Sequence, residues 1–126
     1  MRLLVDTSIL IDHLRGVTGA VDLLTDAVAA GDELWSTTVV RTEVLAGMRT
    51  GEEPSTHKLL DALRWQQVTV EIADRAGELA RRYMKAYPGV DTIDYLVAAT
   101  AEDRGAQLRT LNVKHFPMFS DLVPAY

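Results

Sequence analysis

Apolar residues along this chain come in short unbroken runs, separated by longer stretches in which they recur every three or four positions. Leu3-Leu4-Val5 is one such run, ending in Asp6, and it predicts a strand buried on both faces. Thr7 and Ser8 are helix-capping residues, so a helix is predicted from Ile9 to about Leu14, stopped by Gly16. Ala20, Val21, Leu24, Ala27 and Val28 share one face of a second helix, with Gly31 as its stop. Glu33 to Thr37 reads as a second strand, and Ser36-Thr37-Thr38 starts a helix carrying Val40, Val44, Leu45 and Met48. After a loop from Thr50 to Ser55, Leu59, Leu60 and Leu63 predict a fourth helix over about Ser55 to Arg64. Gln67 to Val70 predicts a third strand. Ile72, Ala76, Leu79, Ala80, Tyr83 and Tyr87 then keep helical spacing until Pro88-Gly89. Another helix is predicted from Asp91 to Gly105 and a fourth strand over Ala106 to Thr110. Leu122-Val123 reads as a short edge strand in an irregular tail.

Strands alternating with helices in this way predict an α/β domain: a short, mostly parallel sheet covered by helices on both faces, in three α/β/α layers. With 126 residues and no repeats, low-complexity tracts or linkers, one domain over residues 1–126 is expected. Hydrophobic residues at 48% are enough for a proper core. Absence of cysteine excludes disulfides and thiolate zinc sites. The apolar run near the amino end is far too short for a signal-peptide core, and no stretch approaches a membrane span, so a cytoplasmic location is expected. The net charge of −5 argues against nucleic-acid binding through a bulk positive field. Any such role must work through a local site, a metal or a partner.

Candidate chemistry gathers where elements change. Asp6 ends the first strand, Glu43 lies in the helix after the second, and Asp91 and Asp94 open the helix leading into the fourth. In parallel sheets ligands bind beyond the carboxyl ends of the strands. If strands one, two and four are neighbours, these acids share one rim. Carboxylates within roughly 4–6 Å of one another repel unless a cation is present. Mg²⁺ and Mn²⁺ prefer such oxygen ligands, and on an open rim they favour phosphodiester hydrolysis by lowering the pKa of water and neutralising charge on the phosphate. Plainer readings stand beside each acid. Asp6 suits a turn. Glu43, beside Val40 and Val44, is costly to desolvate unless paired, for which Arg41 and Arg49 are at hand. Asp91 reads better as a helix cap, with Asp94 completing a capping-box-like pair; Asp94, just inside an apolar helix start, reads better as facing the rim.

Other constellations are poorer. His13, His57 and His115 form no helical metal pair, and each reads as a surface or core residue. No glycine-rich nucleotide loop is present. Asp6 as a phosphate-accepting nucleophile is the runner-up chemistry, although position 8 is Ser and lysines occur only at 58, 85 and 114.

Leu4-Val5-Asp6-Thr7-Ser8, Thr42-Glu43-Val44-Leu45-Ala46-Gly47, Ile93-Asp94-Tyr95-Leu96-Val97-Ala98-Ala99-Thr100-Ala101 and Thr110-Leu111-Asn112-Val113-Lys114-His115-Phe116 resemble the successive motifs of PIN-domain proteins. They are most similar to small VapC toxins of toxin–antitoxin pairs. The resemblance implies a PIN-like fold and a Mg²⁺- or Mn²⁺-dependent endoribonuclease with Asp6, Glu43 and Asp94 as its central acids. Thr7 and Asn112 match positions that support the site. Where many relatives carry a fourth acid this chain has His115, which leaves the number of metals open, with Asp91 as a nearby substitute. The resemblance further implies a homodimer and a small VapB-type antitoxin inserting a basic side chain among the acids, which suits an acidic toxin. Arg41, Arg49 and Lys114 are the cations nearest the rim and the candidates for RNA contact; each also reads as plain solvated charge. A PIN-like fold that only binds a partner is the non-catalytic alternative.

Overall fold

The computed structural model describes all residues from Met1 to Tyr126. Four strands build one parallel sheet: β1 (Arg2–Val5), β2 (Glu33–Thr37), β3 (Arg64–Gln66) and β4 (Gln107–Arg109), in the order β3-β2-β1-β4. Parallel neighbours require a return crossover. Those crossovers are α1 (Thr7–Leu14) with α2 (Thr18–Ala29), then α3 (Thr38–Ala46) with α4 (Glu53–Asp61), then α5 (Val70–Tyr83) with α6 (Thr92–Arg104). A 3-10 turn, Val113–His115, follows β4. No helix is long and apolar enough to cross a membrane.

β1 runs in the middle, and Leu3, Leu4 and Val5 are buried as an unbroken apolar run demands. The chain moves outward from β1 through β2 to β3, then returns to place β4 on the far side of β1. Right-handed crossovers therefore put α5 and α6 on the face opposite α1 and α2, giving the three expected layers. The reversal of direction falls between β1 and β4, and this is where an open α/β sheet leaves a crevice. Strands one, two and four are thus close neighbours, as the rim arrangement requires.

A single core of 24 buried residues joins both faces. The helix α6 is its inner member: Ala98, Ala99 and Ala101 are at most 2% exposed, and their small side chains let the helix lie close to the sheet. Gly105 takes a left-handed φ of 59° and ends that helix, as its position predicted.

Several boundaries differ from the sequence-based expectation. The third strand is Arg64–Gln66, not Gln67–Val70, because α4 already stops at Asp61 and Thr69 is committed to capping α5, accepting from the Ile72 amide at 3.1 Å. Trp65 fixes this register by donating its indole N–H to the Leu60 carbonyl at 2.8 Å. The helix α4 starts at Glu53, with Pro54 in the first turn where its missing N–H costs nothing. The helix α5 ends at Tyr83, leaving Tyr87 outside it and exposed. Met48 lies beyond α3, which stops at the Gly47 cap. Leu122-Val123 forms no strand. The tail instead makes one sheet-like bond, from the Ala125 amide to the Thr110 carbonyl at 3.0 Å.

Candidate functional site

Asp6 closes β1 and caps α1 in place of the expected Thr7 or Ser8. Its extended backbone lets Oδ1 accept from the amides of Ser8 (3.1 Å) and Ile9 (3.4 Å) and from the Ser8 hydroxyl (2.6 Å). Oδ2 accepts from the Thr110 hydroxyl, brought alongside by the pairing of β1 with β4. Asp6 is only 6% exposed. Burial pushes its pKa up, and the hydrogen bonds from Ser8, Thr110 and the backbone pull it partly back.

Glu43 sits on α3, just across from the start of α1, and accepts from the Thr7 hydroxyl at 2.6 Å. Neither Arg41 nor Arg49 pairs with it. Arg41 lies over the Trp65 ring at 5.1 Å, and Arg49 uses its backbone amide to bond Glu52.

Asp91 and Asp94 form a full capping box: the Asp94 amide donates to Asp91 at 3.0 Å and the Asp91 amide donates to Asp94 at 3.1 Å. Asp91 is therefore the cap, as expected. Asp94 does two jobs, closing the box while facing the crevice. Burial pushes its pKa up to about 6, with the Asp91 charge adding and the Asp91 amide and His115 opposing. His115 Nδ1 stands 3.3 Å from Asp94 Oδ2.

Asp6, Glu43, Asp91, Asp94 and His115 all line one cleft of about 360 Å³ at the carboxyl ends of β1 and β4. Asp6, Glu43, Asp91 and Asp94 bring the acid; Thr7, Ser8, Asn112 and His115 bring the remaining polar groups; Ile11, Ile93, Val97 and Phe116 form apolar walls. A larger cleft of about 530 Å³, between α1, α2 and α4, is mostly apolar and has no acid. The cations Arg41, Arg49 and Lys114, singled out for RNA contact, do not line the acidic cleft.

Three contributors escaped the sequence reading. Ser8 and Thr110 hold the buried Asp6, while Thr7 bonds Glu43; Asp-x-Ser is itself a turn signal that anticipates the Ser8 bond. Asp12 is a fifth acid in the cleft, one turn after Ser8 on α1. It accepts from the Tyr126 hydroxyl at 2.7 Å, and the Tyr126 ring covers Gly19 so closely that a Cβ there would come within 2.6 Å of it. Burial, with Asp12 as acceptor, pushes the Tyr126 phenol up.

The donor set suits a hard divalent cation: carboxylate oxygens of high local density, with one imidazole. As the side chains lie, no three of the acids and histidines converge on one point at ligand distance. An ion in this cleft would be reached either by small rotations of Glu43 and Asp94 or through the waters that Mg²⁺ commonly keeps. The fold and the cleft together define an acid-centred α/β protein whose acids come from separate elements around the sheet's switch point.

The pattern of the PIN domain matches residues 3–116, and the chain belongs to the PIN-domain family, among its VapC members. It is 46% identical over 123 residues to Ribonuclease VapC19 of Mycobacterium tuberculosis, covering 98% of both chains. With Ribonuclease VapC10 of the same organism it shares 45% over 124 residues, covering 98% of this chain and 92% of the relative. Among solved structures it superposes with a TM-score of 0.77 on a toxin–antitoxin complex from Klebsiella pneumoniae, at 26% identity and 98% coverage of both chains. A VapBC2 complex from Rickettsia felis bound to a promoter DNA fragment gives the same TM-score at 21% identity, over 98% of this chain and 97% of that one, and shares the fold.

Proposed function

We propose that this chain is a Mg²⁺- or Mn²⁺-dependent endoribonuclease, the toxin of a toxin–antitoxin pair acting on cytoplasmic RNA. The observation that carries the reading is the meeting of Asp6, Glu43 and Asp94, from three distant parts of the chain, in one cleft at the sheet's switch point. The relatives named as ribonucleases, at 46% and 45% identity, support RNA as the substrate. The toxin–antitoxin complex from Klebsiella pneumoniae supports an antitoxin partner.

Asp6, Glu43 and Asp94 would hold the cation, with Asp91 keeping Asp94 oriented through the capping box. A bound divalent ion supplies Lewis acidity and a more acidic water at neutral pH. Ser8 and Thr110 fix the Asp6 carboxylate so that it cannot swing away, and Thr7 orients Glu43 through one carboxylate oxygen. The apolar walls lower the local dielectric and sharpen charge interactions inside the cleft. Asn112 lies at the cleft margin, where its amide group would hydrogen-bond an incoming phosphate or base. An antitoxin side chain carrying positive charge fits among the same acids and would exclude substrate. A homodimer, each copy with its own cleft, completes the reading. Asp6 as a phosphate-accepting nucleophile is disfavoured, because no lysine lines the cleft to neutralise the transferred group.

Cleavage of a mixed RNA substrate by the purified chain tests this directly. Activity is expected with Mg²⁺ or Mn²⁺, and it should disappear with EDTA and in Asp6→Asn. Cleavage that survives both treatments overturns the metal mechanism.

A further inference from the structure

The cleft contains one donor that is not oxygen. His115 is its only imidazole: His13 lines the apolar cleft between α1, α2 and α4, and His57 lies on α4. The placement of His115 is built into the fold. It ends the 3-10 turn after Asn112, and its amide donates to the Asn112 carbonyl at 2.9 Å. The next residue, Phe116, is 1% exposed and anchors the turn in the core. The imidazole is thereby held at the cleft, Nδ1 at 3.3 Å from Asp94 Oδ2, while the side chain keeps 45% of its surface open.

That spacing is informative. Two neighbouring ligands of a small six-coordinate ion, each about 2.1–2.2 Å from the metal, stand about 3 Å apart. The chemistry is informative too. Carboxylate, carbonyl and water suit both Mg²⁺ and Mn²⁺, but of the two it is Mn²⁺ that belongs to the first-row series of ions that also take nitrogen donors. An all-oxygen cleft would take Mg²⁺ and Mn²⁺ with little distinction; one imidazole beside Asp94 tilts the balance toward Mn²⁺.

We propose that His115, set beside Asp94, is a nitrogen ligand of the cleft's cation and makes the site prefer Mn²⁺ to Mg²⁺. This rests on the metal-dependent reading above. The test is pulsed electron paramagnetic resonance of Mn²⁺ added to the full chain, which detects a directly bound nitrogen without reference to activity. Wild-type protein should show nitrogen modulation. His115→Ala and His115→Asp should bind Mn²⁺ without it, and His13→Ala and His57→Ala should retain it. Calorimetry should show the Mn²⁺ affinity of His115→Ala down by at least the about tenfold that loss of a supporting partner costs, with Mg²⁺ affinity little changed, and in His115→Asp the ratio of Mn²⁺ to Mg²⁺ affinity should fall. His115 is half-exposed, and a thermal melt of each metal-free variant checks that it folds.

Mn²⁺ that binds wild type in an Asp6-dependent way but shows no nitrogen modulation overturns the inference and leaves the metal-dependent reading standing. In that case His115 is only a hydrogen-bond partner of Asp94. Modulation that persists in His115→Ala overturns it as well. Failure of wild type to bind either ion overturns the inference together with the reading beneath it.

Discussion

Asp6 is buried and then surrounded by donors, so its charge depends on two hydroxyls far apart in sequence. Removing either leaves a buried carboxylate short of a partner, which typically costs about 1–3 kcal/mol. Thr110→Val and Ser8→Ala should each lower stability at pH 7 by that order and raise the Asp6 pKa further. Urea denaturation at pH 7 and pH 4 checks this, because the loss should shrink as falling pH favours the protonated folded Asp6, whose pKa is raised. Asp94 makes a sharper case. Folding raises its pKa from the ordinary 3.8 to about 6, so between those values the folded state binds a proton that the unfolded chain does not. Its contribution therefore favours folding more as pH falls from about 6 toward 4, and the buried Asp6 acts in the same direction. Glu33, whose pKa is lowered by Trp35 and by Arg2 and Arg64, acts the opposite way from the surface. Asp94→Asn keeps an acceptor for the Asp91 amide and removes the charge. In EDTA it should be more stable than wild type at pH 7, by roughly 1–2 kcal/mol after allowance for partial exposure. The advantage should vanish at pH 4, and denaturation midpoints at the two values would show otherwise if Asp94 titrated normally.

At the scale of elements, α6 joins stability to the site. Its Ala98-Ala99 face lies against the core, so a larger side chain has no room. Ala98→Leu should cost about 1–3 kcal/mol by overpacking. It should also move Asp94 away from Asp6, so RNA cleavage falls by more than the loss of folded protein explains; a melt and a cleavage assay on the same preparation separate the two. Asp91→Ala should cost about 0.5–2 kcal/mol as a lost cap. Much of this was readable in the sequence. Leu3-Leu4-Val5 and Leu34 announce strands because fully buried parallel strands need continuous apolar residues. Asp6 and Asp94 stand out because each lies where one element gives way to another, and Glu43 because it puts a charge at the border of an apolar helix face; the fold brings all three into one cleft. Local pattern failed where tertiary contact decides. The three-residue strand Arg64–Gln66 is too short for any periodicity, and it is placed by the Trp65 bond to Leu60 and by Thr69 turning to cap α5. Nothing in the spacing of Ser8 and Thr110 joins them to one carboxylate, since only the pairing of β1 with β4 does so. The strap of Ala125 and Tyr126 over Thr110, Asp12 and Gly19 has no local signature at all.

At the scale of the molecule, five acids in one cleft of a chain with net charge −5 make cation binding a stability effect as well as a chemical one. An ion that binds only the folded state stabilises by about 2.7 kcal/mol when present at about 100 times its dissociation constant. Saturating Mn²⁺ should therefore raise the melting temperature by several degrees at pH 7. The rise should be lost in Asp6→Asn and should weaken below pH 6, where protons compete for Asp94. Scanning calorimetry across pH reads both, and a shift equal at pH 5 and pH 7 would remove Asp94 from the ligand set.

The bond between Thr110 and Asp6 spans 104 positions of the chain. A ribosome adds about 5–20 residues per second, so roughly 5–20 s pass between the making of one partner and the making of the other. During that interval β1 lacks one of its two neighbours, the acids have not met, and His115 and Asn112 do not yet exist. A nascent chain that stops short of Thr110 thus lacks the assembled cleft. The proposed RNA-cutting centre comes into being only after Thr110 has been made and β4 has paired with β1.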